Sequence, residues 1–147
     1  LTAALSRSEA VYPMPDLQWI EERFWVWVHY GAAKIGRGEL LEAHDSLAFL
    51  RLLVLGPLVL LVQGARPSGV RKVETQAQPY LEDLIRTTAP YDRLACVTAL
   101  QASVTLYRRL RAQLATATFA PRPEAEAAAM SYLGQIESKI KETEKVS

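Results

Sequence analysis

The sequence predicts an all-α fold, a bundle of about five helices in one domain. Three observations carry this. Apolar residues recur at helical spacing along most of the 147 residues, and alternating strand patterns are nearly absent. Glycine and proline clusters divide the chain into segments that suit helices with short connections. Half of the residues are hydrophobic and 22% are charged, a balance that buries a core and does not leave the chain disordered.

The elements follow in order. Pro15 and Asp16 open a first helix, with Asp16 as N-cap, and Gly36 or Gly38 closes it. A second helix begins near Glu39 and kinks or stops at Gly56-Pro57, because proline donates no interior hydrogen bond. "QGARPSG", residues 63 to 69, is a loop by composition. A shorter helix covers roughly 73–87, with Pro79 disturbing it. Residues 90–117 read as one long helix with Leu94, Val97, Leu100, Val104 and Leu110 on its apolar face. A terminal helix runs over about 123–144, with Pro123 and Glu124 suiting its first turn. The core is expected within 12–117, with the terminal helix outside it.

Several function classes are excluded by what is absent. The formal net charge is +1, which calls for neither nucleic acid nor an anionic membrane as partner. The apolar run at 46–63 is interrupted by Arg51 and divided by Gly56-Pro57, so a buried core helix is expected there, not a membrane span. Cys96 is the one cysteine and falls on an apolar helical face, where a buried thiol in a reducing, cytoplasmic compartment is the simple reading. No His/Cys cluster has metal-ligand spacing, and Asp16, Asp45, Asp83 and Asp92 form no D-x-D pair, so no metal site is expected. The chain begins at Leu1 without a signal sequence and is expected to be the C-terminal piece of a longer protein.

"ERFWVWVHYGAAKIGRGEL", residues 22 to 40, is the densest aromatic stretch. On a helical wheel Ile20, Phe24, Trp27, Val28, Gly31 and Ile35 form a core stripe. The roughly opposite face carries Glu22, Trp25, Val26, His29, Ala33 and Gly36, of which Glu22, Trp25, His29 and Gly36 fall within about 60°. Two readings stay open. This second face is further core, or it is a pocket wall in which Glu22 and His29 meet a polar ligand, Trp25 stacks on it and Tyr30 flanks it. Lys34 and Arg37 solvate the following turn or contact phosphate. Arg108, Arg109 and Arg111 are expected on the solvated side of the long helix.

The same stretch resembles the first long helix of the C-terminal helical domain in aminoglycoside-type (kanamycin/streptomycin) bacterial nucleotidyltransferases. Phe24-Trp25, Tyr30, Ala33-Lys34, Arg37 and Glu39-Leu40 carry the likeness, and "ARPSGVRKVE" and "CVTALQASVTLYRRLR" extend it over roughly 12–114. The resemblance implies a two-domain enzyme that transfers a nucleoside monophosphate to a hydroxyl acceptor. An N-terminal α/β domain, absent from this chain, would hold Mg2+ and a nucleoside triphosphate. The helical domain would bind the acceptor and close the site, with Glu22 as base and Trp25, His29 and Tyr30 on the acceptor. The acidic residue expected directly before Phe-Trp is Arg23 here. This chain alone would then be inactive. Two rival readings remain. One is a HEPN-like nucleotide- or RNA-binding or RNA-cleaving module using Arg23 and His29 at Arg-x5-His spacing. The other is a helical homodimerisation module built on the aromatic faces.

Overall fold

The computed structural model describes residues 14–146, and these form an all-helical bundle. Helix α1, Leu17–Gly36, starts where Asp16 accepts the Trp19 backbone N–H at 3.1 Å. It ends before Gly38, whose φ of 75° turns the chain. Arg93 closes the same end from another helix, donating to Gly36 O at 2.6 Å and Ile35 O at 3.4 Å. These are carbonyls that an α-helix C-terminus leaves without intrahelical donors.

Helix α2, Leu40–Leu50, was expected to kink or stop at Gly56-Pro57, and it does not stop there. It widens into a π turn, Arg51–Leu55, and continues as α3, Gly56–Val62. The Gly56 N–H bonds to Arg51 O, five residues back, and Gly56 keeps helical φ and ψ of −60° and −54°. The wider turn carries the chain past a proline that has no N–H to give. A Cβ on Gly56 would meet the Gly69 carbonyl oxygen, so the 63–69 loop lies directly on this rod. The Leu40–Val62 rod is long and apolar enough to cross a membrane by composition, yet 56% of its most apolar window is buried inside the bundle.

The single helix expected over 73–87 is three short pieces: α4, Val73–Gln76, a 3-10 turn, Gln78–Tyr80, and α5, Leu81–Ile85. Pro79 sits in the 3-10 turn, where its missing N–H costs least. Helix α6, Arg93–Leu114, is capped by Asp92, which accepts from Ala95 N at 2.8 Å. It buries Cys96, Val97, Leu100, Val104, Tyr107 and Leu110.

Helix α7, Pro123–Val146, brings the largest change from expectation. The core does not end near residue 117. Ala129, Leu133, Ile136 and Ile140, spaced for one helix face, are all buried in it. A Cβ on Gly36 would lie 2.6 Å from Ile136 Cδ1, so α1 and α7 approach closely there. Helix α1 is thus enclosed by α2, α6 and α7.

Candidate functional site

The face of α1 nominated as a pocket wall is split: Trp25 is buried and Gly36 packs against α7, while Glu22, Val26 and His29 stay exposed. Trp25 is 2% exposed, while Trp27 is half-buried near the surface, the reverse of their expected places. The wheel explains why. With Ile20 at zero, the buried arc runs through Phe24, Val28, Glu21, Ala32 and Trp25, at about 40°, 80°, 100°, 120° and 140°. Trp27, at about 340°, lies at its outer edge. The expected stripe was therefore rotated, and it left out a glutamate in the middle of the arc.

That residue, Glu21, is fully buried. Its Oε1 accepts from Tyr107 Oη at 2.6 Å and Arg111 Nη1 at 3.2 Å. Its Oε2 accepts from Trp25 Nε1 at 3.0 Å, Arg111 Nη1 at 3.2 Å and the Arg122 backbone N–H at 2.9 Å. Arg111 is thus no solvated surface residue; it also bonds Glu126 Oε1 at 2.8 Å, and Arg108 bonds Glu126 Oε2 at 2.6 Å. Burial opposes the charge on both, yet the carboxylates Glu126 and Glu21 hold Arg111 above its ordinary pKa, and the two arginines hold Glu126 below its own. Burial first, and the bond to Glu21 second, push the Tyr107 phenol far upward, so it stays protonated and donates. Both oxygens of Glu21 are filled by donors from α1, α6 and the start of α7. Such a carboxylate, fully buried, lies out of a substrate's reach. It fixes how three helices meet.

The nominated residues do not come together. Glu22 is exposed, bonded to Arg122 Nη2 at 3.0 Å and to Gln18 at 3.2 Å. His29 stacks on Tyr132 of α7, ring centroids 4.1 Å apart and 17° from parallel. Trp25 lies under the guanidinium groups of Arg108 and Arg111, at 5.7 and 5.8 Å from its ring. Arg23 covers Trp19 at 4.3 Å and donates to its own helix at Trp19 O, so it forms no pair with His29. Lys34 is held by Glu39 and Glu42, both at 3.1 Å, and Arg37 grips Glu39 through two bonds of 3.2 and 3.1 Å. Those bonds, Arg37's first, pull the Glu39 carboxyl down to about 2. Both cations named for phosphate already have carboxylates.

Of the nominated set, Tyr30 lines an open cleft. It is 51% exposed and joins Trp27, Glu42, Asp45, Ser46 and Phe49 around about 380 Å³ between α1 and α2. Trp27 and Phe49 meet edge to face at 5.0 Å, and Lys34 lies 5.2 Å from the Tyr30 ring. Three aromatic surfaces face two carboxylates and a hydroxyl, an arrangement suited to a ring with hydroxyl or ammonium groups. Tyr30 was nominated from the sequence while Trp27 was read as core; Phe49 and Asp45 enter only because α2 folds back on α1. Among the described residues no group of three or more His, Cys, Asp or Glu side chains could hold a metal. Comparison with family models, curated proteins and solved structures gives no match.

Proposed function

We propose that this chain is the acceptor-binding helical domain of a nucleotidyltransferase-like protein, and that its acceptor lies in the α1–α2 cleft. The observation that carries the reading is the cleft itself. It is built from Trp27 and Tyr30, within the stretch that bears the family resemblance, and it sets Glu42 and Asp45 against aromatic walls. Its volume of about 380 Å³ lies within the range of small-molecule sites. A cationic, polyhydroxylated acceptor fits best: rings stack on Trp27 and Tyr30, and ammonium groups meet the carboxylates. Glu42 is engaged by Lys34, so Asp45 takes the base role that the resemblance assigned to Glu22. Mg2+ and the nucleoside triphosphate belong, as the resemblance implies, to the α/β domain. The setting of this reading is the cytoplasm, where the buried Cys96 thiol remains reduced.

The test is a titration of the chain with kanamycin, followed by the three tryptophan indole N–H signals in NMR. The Trp27 signal should shift saturably and Trp25 should not, and Asp45→Asn should weaken binding about tenfold, as loss of a charged hydrogen bond does. A silent Trp27 with unchanged binding in Asp45→Asn would overturn the assignment of the cleft.

A further inference from the structure

Two arginines of this fold, Arg37 and Arg93, bind through one edge of the guanidinium. The side-on edge of the guanidinium, Nε with Nη2, is a two-pronged donor. Arg37 uses that edge to hold both oxygens of Glu39. Arg93 uses it to hold the Ile35 and Gly36 carbonyls. Arg51, in the π turn, is different. Its bonds come from Nη1 alone, to Thr87 O at 2.6 Å and Thr87 Oγ1 at 3.2 Å, and no carboxylate pairs with it among the described residues. No buried side-chain nitrogen among those residues lacks a partner, so neither Nε nor Nη2, which carry no bond, is fully sealed from solvent.

The Arg51 side chain lines a second cleft, of about 340 Å³, with His44, Asp45, Leu47, Ala48, Thr88 and Ala89. His44 and Arg51 are seven residues apart on one face of the rod and grip the two ends of the same turn, His44 Nε2 lying 3.1 Å from Pro90 O. A carbonyl only accepts, so the His44 proton sits on Nε2. The cleft is the space between these two anchors. Burial pulls the Arg51 pKa down, and a bound oxyanion would offset that burial.

We propose that this cleft binds the carboxylate of a small organic acid on the Nε–Nη2 edge of Arg51. Two parallel N–H donors match the two oxygens of a carboxylate, as Arg37 and Glu39 demonstrate within the same molecule. Asp45 on the rim disfavours a doubly charged phosphate and favours a single negative charge. The site is separate from the α1–α2 cleft, although Asp45 borders both.

The experiment follows the Arg side-chain Nε–H signals by NMR while acetate, inorganic phosphate or chloride is added at matched ionic strength. Acetate should move the Arg51 signal saturably and leave Arg37, whose edge is filled, in place. Arg51→Lys keeps the charge but not the fork; acetate binding, then followed at the Thr88 and Ala89 amides, should weaken about tenfold. Asp45→Asn should tighten acetate ~2-fold by removing a like charge, opposite to its expected effect on kanamycin, so failure of either site is distinguishable from failure of the other. Equal shifts with chloride, equal shifts at Arg37, no saturation with acetate, or tighter binding of phosphate than of acetate would each overturn the proposal.

Discussion

Glu21 and Glu22 are neighbours in the chain and opposites in circumstance. Glu21 is fully buried and receives donors from two side chains of α6, one of α1 and the backbone at the start of α7. Glu22 projects into solvent with ion pairs to Arg122 and Arg23 at 3.0 and 3.9 Å. One residue, about 100° of helical rotation, separates a structural hub from a surface charge. A carboxylate's type therefore says little about its use; its angular position within the apolar arc says much. Trp25 and Trp27 repeat the lesson. The aromatic that looked like a site wall is core, and the one that looked like core borders the cleft.

The sharpest way to break this comparison is at the hub. Glu21→Ala should cost about 3–5 kcal/mol in urea denaturation, because it strips Arg111 of one of its two carboxylates and leaves the Tyr107, Trp25 and Arg122 donors unpaired. A loss below about 1.5 kcal/mol, an ordinary value for a less consequential site, would show that the network does not fix the bundle.

Next come the tryptophans. Trp25→Ala removes a fully packed indole and its bond to Glu21, at a cost of about 3–5 kcal/mol. Trp27→Ala should cost about 1–2 kcal/mol, since its ring is only half-buried beside Phe49. Equal losses at the two positions would erase the distinction between the covered face and the cleft.

The smallest effect belongs to Glu22→Gln, within about 0.5 kcal/mol of the parent, as exposed pairs usually are. Thermal unfolding at low and high salt measures it. A loss comparable with that of Glu21→Ala would mean that the two glutamates share one network.

Much of the fold was legible before any coordinates. Asp16 reads as an N-cap by residue type, Gly38 marks a turn because positive φ suits it, and Cys96 lies on a periodic apolar face. The hub was partly legible. Glu21 falls between Val28 and Ala32 on the wheel, and a carboxylate so placed signals a buried partner. Its identity as Tyr107 and Arg111 was not readable, because 86 and 90 residues separate them in sequence. The cleft was half legible for the same reason, with Tyr30 visible and Phe49 hidden.

By itself the sequence determined the helical class, most helix ends, and the aromatic wealth of α1, because periodicity, caps and breakers act over a few residues. Tertiary structure decided the rest. It decided that the helix runs on through Gly56-Pro57 after a π turn over Arg51–Leu55, and that the 63–69 loop packs on that glycine. It also decided that α7 belongs to the core, because α1 carries a buried arc too wide for α2 and α6 to cover. Which carboxylate is buried and which is free to meet a ligand depends on where three helices touch, and no local pattern encodes that.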